Sequence, residues 1–304
     1  MSENLSKLFT TQFSTNLELK LQQMGSKLRG RVREGTHVGK QASPINQVGA
    51  IQLRAPAGRF APKNRTDADF TRRWVFPQDG EIDQLIDSFD ELRTIVDPKS
   101  MYVENASMAV GRGWDDAIIA GFFATASTGA DAGGLSNETF DTSSFQIAST
   151  FGASAATGLT VAKMIEAKRI LEHYHNDLEV ERPVIVIGSK QHSDLLNQAQ
   201  VVSTEFNDRP VLVDGRVKQF LGFDIVMSER LAVAANVRNV PVFVKSGMYL
   251  GIWQDMTNRV SIRNDLSSEP YDLYSKSMFG ATRLEPGRIV QILCNDSVGA
   301  DITP

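Results

Sequence analysis

Few side chains in this sequence have the type and spacing that metal binding requires. His173 and His175 form a His-x-His pair in a segment with helical periodicity. Residues two apart on a helix point about 200° away from each other, so these two imidazoles cannot chelate one metal ion. His37 and His192 have no cysteine or carboxylate at ligand spacing. The sequence therefore predicts no metal site.

Motifs for nucleotide binding and for nucleophilic catalysis are also incomplete. Gly111 and Gly113 lack a third glycine and lie inside a predicted helix, whereas a dinucleotide motif follows a strand. Ser189 follows a buried strand without the glycine frame of a nucleophile elbow, so we expect it to be a helix N-cap. Cys294 lies in an apolar strand, where cysteine is usually inert. We predict no catalytic residue and no cofactor.

The composition is that of an ordinary globular protein. The chain has 304 residues, of which 41% are hydrophobic and 22% charged, so it can bury a sizeable core. A net charge of −4 argues against a general nucleic-acid binder, and a single cysteine excludes a disulfide framework. No secretion signal or membrane-length apolar run is visible. We expect a soluble protein made in a cytoplasm.

Positive charge is concentrated in residues 27–73, which carry eleven basic and three acidic residues, a local charge of +8. The basic residues are Lys27, Arg29, Arg31, Arg33, Lys40, Arg54, Arg59, Lys63, Arg65, Arg72 and Arg73. A loop of this length without its own core is usually functional or disordered. We predict a long hairpin with alternating ends at Lys27–Val32 and Arg72–Phe76. The alternative is a disordered basic linker.

The next segment reverses the sign. Its acids are Asp79, Glu81, Asp83, Asp87, Asp90, Glu91 and Asp97, against Arg93 alone. Apolar residues recur at helical spacing, which predicts an acidic amphipathic helix with Asp79 as its N-cap. A second helix, the longest, is predicted from Pro98 to about Thr128. Its glycines at 111 and 113 indicate a bend or close packing.

The remaining sequence predicts a mixed lobe, so we assign the chain to the α+β class. Residues 1–24 have helical spacing, and residues 129–158 indicate a loop with some edge strand. The other predicted elements are helices from Thr160 to Asn176 and from Ser189 to Gln198, a hairpin at 211–226, and strands at Pro183–Ile187, Val240–Val244, Leu250–Trp253, Val260–Ile262, Phe279–Leu284 and Ile289–Cys294.

The charge reversal between Arg73 and Asp79 needs an explanation. A solvated surface is the simplest one, but a monomer gains little from such segregation. A subunit that lays its basic loop across a neighbour's acidic helix gains register and association rate. The predicted inter-subunit contact joins Arg29, Arg31, Arg33, Arg54, Arg59, Arg65, Arg72 and Arg73 with Asp83, Asp87, Asp90 and Glu91.

The order of these elements resembles that of HK97-like major capsid (coat) proteins of tailed double-stranded DNA bacteriophages. RRWVFPQDGEIDQLIDSFDELRTIVDP is similar to their passage from loop to spine helix, and VKQFLGFDIVMSERL and VFVKSGMYLGIW to later strands. In YSKSMFGATRLEPGRIVQILCND, a segment with Gly280, Ala281 and Arg283 precedes a final strand, as in those proteins. The resemblance spans essentially the whole chain.

The resemblance implies an HK97-like fold with an N-terminal arm at 1–25 and an extended β-hairpin loop at 26–76. It places a peripheral domain with the spine helix at 77–129 and 286–304, and an axial α/β domain at 130–285.

It also implies a virion protein made in the host bacterial cytoplasm. Hexameric and pentameric capsomers would enclose double-stranded DNA, with a separate scaffolding protein, a portal and a decoration protein as partners. The alternatives are an encapsulin-like or other shell protein, a nucleic-acid-binding protein using residues 27–73, or an enzyme with an unrecognised α/β site.

Overall fold

The computed structural model describes residues 22–39, 43–55, 58–59, 62, 65–87, 99–129, 135–198, 212–213, 216–267 and 269–297. Helices in these residues are α1 (Lys99–Phe123), α2 (Thr142–Phe145), α3 (Val161–His173) and α4 (Ser189–Leu196). The strands are β1 (Arg33–Thr36), β2 (Ser43–Val48), β3 (Phe70–Val75), β4 (Gln78–Ile86), β5 (Ala126–Thr128), β6 (Ser136–Glu138), β7 (Gln146–Ile147), β8 (Val184–Ile187), β9 (Leu212–Val213), β10 (Arg216–Val217), β11 (Gln219–Phe220), β12 (Phe223–Met227), β13 (Val233–Ala234), β14 (Val237–Phe243), β15 (Met248–Ile262), β16 (Tyr271–Arg283) and β17 (Ile289–Asn295). The α+β class is confirmed.

The chain divides into two compact units. The smaller takes the described parts of Met1–Ser26, Asp79–Arg112 and Gln254–Ser277. The larger takes those of Lys27–Gln78, Gly113–Trp253 and Met278–Pro304. The predicted arm at 1–25 lies outside the described residues except for its last four positions.

In the smaller unit, β4 pairs with β16, and β16 pairs with β15. The Tyr274 hydroxyl donates to a Glu81 carboxylate oxygen over 3.0 Å, which joins β16 to β4. The Arg112 guanidinium on α1 donates to the Gln22 side-chain oxygen over 2.7 Å. The chain before β1 is therefore attached to this part of α1.

The larger unit is built on a sheet in the order β11-β12-β8-β14-β17-β7. Every residue of β8 is buried, as its unbroken apolar sequence predicts. Thr160 caps α3 through its side chain, as predicted. Lys163 of α3 is fully buried, and its ammonium donates to the carbonyl oxygens of Thr157, Gly158 and Leu293. These bonds compensate for the burial of its charge.

A second sheet of the larger unit contains the predicted hairpin, in the order β2-β3-β5-β6. The register runs antiparallel from Ser43 opposite Val75 to Val48 opposite Phe70. The prediction that Lys27–Val32 forms the first arm was wrong. That stretch turns at Gly30, which has a φ of 87°, and β1 then pairs in parallel with β15.

The predicted acidic helix was wrong over the residues that the structure describes. Residues 78–86 form β4, in which exposed Glu81, Asp83 and Leu85 alternate with less exposed Ile82 and Gln84. The spacing of the apolar residues fits a helix, but the partner strand β16 supplies the backbone hydrogen bonds of a sheet. Residues 88–98 lie outside the described residues.

A buried arginine joins three elements of the larger unit. Arg283, at the end of β16, is 1% exposed, and its guanidinium donates to the carbonyl oxygens of Phe122, Ala124 and Glu138 at 3.0–3.1 Å. The last carbonyls of a helix lack partners in the helix itself, and a cation near them also offsets the helix dipole. Burial lowers the pKa of Arg283. The arginine therefore fixes the end of α1.

The base of the hairpin is attached at the same place. Arg73 of β3 is buried, pairs with the Glu138 carboxylate and donates to the Leu284 carbonyl oxygen over 2.7 Å. A Cβ atom at Gly280 would overlap the carbonyl oxygen of Phe76. Glycine at 280 thus lets β16 approach the chain after β3 closely. We call Arg73, Glu138 and Arg283 the arginine junction.

The two glycines of α1 differ in their surroundings, which predicts opposite effects of alanine. A Cβ at Gly111 would lie 2.7–2.9 Å from backbone atoms of Gly25 and Ser26, whereas one at Gly113 would meet Phe279 at 3.5 Å. We expect Gly111→Ala to lower the free energy of unfolding by about 1–3 kcal/mol through overpacking. Gly113→Ala should raise it by up to about 1 kcal/mol through helix propensity. Urea denaturation of both variants measures this, and a stabilised Gly111→Ala would contradict the close packing.

Removing the Arg283 guanidinium from the arginine junction should destabilise the larger unit strongly. Arg283→Met keeps most of the apolar volume but leaves three carbonyl oxygens without their donor. We expect the free energy of unfolding to fall by about 3 kcal/mol or more. Arg169→Met is the matched control, because Arg169 is 62% exposed and pairs with Glu166 on the surface of α3. That change should stay within about 0.5 kcal/mol. Equal effects of the two variants in thermal unfolding would refute the assigned role.

Candidate assembly surfaces

The hairpin of β2 and β3 exposes large apolar side chains. Val48 is 64% exposed, Ile51 59%, Phe70 71%, and Leu53 is fully exposed. We call these four residues the apolar hairpin patch. Val48 and Phe70 lie opposite each other in the hairpin register, and Ile51 and Leu53 follow β2 in the sequence. Exposed apolar groups on one segment are typical of surfaces that meet a partner.

Four exposed arginines of the predicted contact lie on β1 or between β2 and β3. They are Arg33 on β1 and Arg54, Arg59 and Arg65 between β2 and β3. The apolar hairpin patch is therefore accompanied by positive charge. Of the predicted basic residues, these are the ones whose exposure fits an inter-subunit contact best.

The other predicted arginines have partners within the subunit. Arg31 pairs with Asp224 at 3.2 Å, and Arg29 lies 4.2 Å from the centre of the Trp114 ring. Arg72 donates across the hairpin to the Asn46 side chain over 2.8 Å. Arg73 belongs to the arginine junction described above. Sequence reasoning could not separate these from the exposed four, because their partners lie far along the chain.

Two of the predicted acidic residues are described. Asp83 is exposed on β4, and Asp87 directly follows that strand and is partly buried. Asp90 and Glu91 lie outside the described residues. The acidic residues belong to the smaller unit and the arginines to the larger one.

Asp83 has a second carboxylate beside it, which the sequence analysis missed. A hydrogen bond with Asp272 of β16 raises the pKa of Asp83, and the charge of Asp272 adds to the effect. Arg263 pairs with Asp265 through two bonds of 2.7–2.8 Å and lowers the pKa of Asp265 to about 2. Residues 263–272 had no predicted strand pairing, so nothing in the sequence indicated that Asp272 lies next to β4.

The residues considered for chemistry do not converge. His173 is exposed at the end of α3, and His175 lies beyond that helix with a φ of 58°. The buried His192 ring accepts a hydrogen bond from the Val217 amide. Ser189 is the first residue of α4, so the predicted N-cap position belongs to Gly188. Burial raises the pKa of the Cys294 thiol to about 12, which suppresses the reactive thiolate.

Among the described residues, no group of three histidine, cysteine or acidic side chains is arranged to hold a metal ion. No helix in the same part of the chain is both long and apolar enough to cross a membrane.

Comparisons with solved structures identify the fold. The capsid of cyanophage P-SCSP1u superposes with a TM-score of 0.76 at 15% identity, covering 98% of this chain and 97% of that one. The capsid of Ralstonia phage GP4 gives 0.72 at 10% identity, covering 98% and 97%. The capsid of a native GTA particle, computed with C5 symmetry, gives 0.68 at 12% identity, covering 95% and 96%. The HK97-like fold expected from the sequence is thereby supported.

Among curated protein sequences, none matches this chain. The family model described as phage capsid protein matches residues 5–296. This match favours the capsid interpretation over the alternatives of an enzyme and of a nucleic-acid-binding protein. The chain belongs to the phage capsid protein family and is a major capsid protein, a structural component of the virion.

Proposed function

We propose that this chain assembles into hexameric and pentameric capsomers of an icosahedral head, and that the hairpin of each subunit docks on its neighbour. The observation that carries the docking is the apolar hairpin patch with its flanking exposed arginines. The domain boundaries remain those expected from the resemblance: arm 1–25, loop 26–76, peripheral domain 77–129 and 286–304, axial domain 130–285.

The proposed receiving surface is the acidic segment of the next subunit. Asp83 and Asp87, followed by Asp90 and Glu91 in the sequence, would face the hairpin arginines at 54, 59 and 65. Charges give the contact its register and association rate, whereas burial of the apolar hairpin patch supplies most of its free energy. Each exposed ion pair contributes only about 0.2–1 kcal/mol. A closed shell repeats the contact at every subunit, so weak contacts add up.

The remaining partners follow from the same proposal. The inner face of the shell would meet packaged double-stranded DNA through non-specific contacts of lysine and arginine side chains, which salt weakens. A separate scaffolding protein, a portal and a decoration protein would complete the head, and the host bacterial cytoplasm would be the place of synthesis. These partners rest on the family resemblance.

Reversing the acidic charges should impair assembly and leave the fold intact. In the variant with Asp83→Lys, Asp87→Lys and Asp90→Lys, lysines would face the arginines of the neighbouring hairpin. Because each lost pair contributes about 0.2–1 kcal/mol, we expect the subunit concentration needed for assembly to rise about tenfold. Negative-stain microscopy and sedimentation measure assembly, and circular dichroism checks the fold. Normal shells from this variant would refute the proposed contact.

The control reverses two exposed acids far from β4 in the sequence, Glu172→Lys and Glu179→Lys, and should assemble normally. A charge swap sharpens the test. Arg54→Glu, Arg59→Glu and Arg65→Glu should impair assembly alone and restore part of it when combined with the reversed acids, since only contacting charges show such coupling. Additive defects in the combined variant would mean that the two segments do not meet.

A further inference from the structure

A histidine lies at the root of the hairpin with both ring nitrogens engaged. His37 directly follows β1, and its Nδ1 lies 2.6 Å from the Ser43 hydroxyl oxygen. Its Nε2 lies 2.9 Å from the Tyr249 hydroxyl oxygen. The ring is tilted against Trp253, with centroids 4.8 Å apart. We call His37, Ser43, Tyr249 and Trp253 the hairpin-root cluster.

Two glycines make room for this cluster. Gly35 of β1 lies opposite Gly251 of β15 in the parallel register. A Cβ at Gly35 would overlap the Tyr249 hydroxyl, and a Cβ at Gly251 would lie 2.9 Å from Cδ2 of His37. Side chains on this face of the two strands therefore pack into the space that the facing glycines leave. The imidazole has little freedom to take another position.

Both arms of the hairpin are tied to the cluster. Ser43 is the first residue of β2, so its bond to His37 attaches the first arm. Tyr249 is 6% exposed and packs with Val75, the last residue of β3, and Ile45 of β2 packs against the same group. His37 is thus the polar link between the start of the hairpin and β15.

The charges on the surrounding strands do not favour an imidazolium. On β1 these are Arg33 and Glu34, and Glu34 pairs with Arg29. On β3 they are Arg72 and Arg73, with partners described above. On β15, Tyr249 is the titratable residue in the stretch from Met248 to Trp253. The strand β2 carries no charged or titratable side chain. No carboxylate on these described strand residues is thus directed at His37.

We propose that His37 is a proton-operated latch at the root of the hairpin, closed when the imidazole is neutral and released when it is protonated. A neutral imidazole has one donor and one acceptor nitrogen, so it can donate to one hydroxyl and accept from the other. Protonation makes both ring nitrogens donors, so the hydroxyl that donated to the ring must turn to accept from the new N–H, and its own hydrogen loses its acceptor. The new charge also lies in a partly buried aromatic site beside a strand that carries Arg33.

The pH range follows from the sign of the effect. Burial lowers the pKa of His37 below its ordinary value of 6.5, so protonation favours the open root, where the ring reaches water. The stabilisation by the latch is complete above the ordinary pKa. It is lost progressively as the pH falls from there through the lowered pKa. Mild acid should therefore loosen β2 from β15.

Amide hydrogen exchange of the purified full chain tests this inference, with rates corrected for intrinsic pH dependence. The comparison uses pH 7.5 and about pH 5, within the window set by the ordinary histidine pKa. In the wild type, residues 43–48 should lose protection several-fold more than those of the buried β8. His37→Gln should abolish that difference. His173→Gln, which changes an exposed histidine, should keep it. An unchanged acid response in His37→Gln would overturn the proposal.

Ser43→Ala gives a second test if His37→Gln folds poorly. This change leaves the aromatic packing intact and removes one hydroxyl partner, so protection of residues 43–48 at pH 7.5 should fall towards the acid level of the wild type. Wild-type protection together with a wild-type acid response in Ser43→Ala would also overturn the proposal. Any use of the latch in the shell rests on the proposed hairpin docking. The exchange measurement reports on the root alone, so either proposal can fail without the other.

Discussion

The buried guanidinium of Arg283 is the contact on which the geometry of the hairpin base depends. A charge without partners in the interior would cost several kcal/mol, so the site persists only because three carbonyl oxygens accept from it. Arginine suits this task because its planar fork presents several donors in fixed directions, which lysine cannot match. The Glu138 carboxylate then pairs with Arg73, so one compact group holds the end of α1, the end of β16 and the second arm of the hairpin. These contacts fix the direction in which the hairpin leaves the end of α1.

Much of this fold could be predicted from local patterns. The long helix was predicted from 98 to 128 and runs from Lys99 to Phe123, and the buried strand β8 and the cap of α3 were confirmed. Predictions failed where residues distant in the sequence determine the secondary structure. Apolar spacing in residues 79–86 favoured a helix, but pairing with β16 makes a strand. The strands β15 and β16 are longer than predicted. The prediction ended the first part of β15 at Trp253, because the residues beyond it are largely exposed and lack the alternation of a half-buried strand.

The sequence predicted where charge is concentrated, but not which of the charged side chains are exposed to a partner. The sequence located the basic segment, yet it could not tell that Arg73 is buried while Arg54 is exposed. That difference comes from Glu138 and Leu284, which lie 65 or more positions further along the chain. The motif around Arg283 was recognised by resemblance alone. Its physical role, a cation that caps a helix, became visible only with the carbonyl oxygens in place.

The residues that anchor the hairpin lie more than 200 positions further along the chain. His37 and Tyr249 are 212 positions apart, and Arg73 and Leu284 are 211. Ribosomes make the hairpin first, and its partners on β15 and beside the end of β16 emerge only after a further 211 or 212 residues. Closing such long loops is slow, and it cannot begin before the second partner exists. In an unfinished chain the contacts that anchor the hairpin therefore cannot form. Only subunits whose synthesis has passed Leu284 acquire a hairpin with a fixed direction. The topology in this way makes synthesis of β15 and β16 a condition for a subunit with an anchored hairpin.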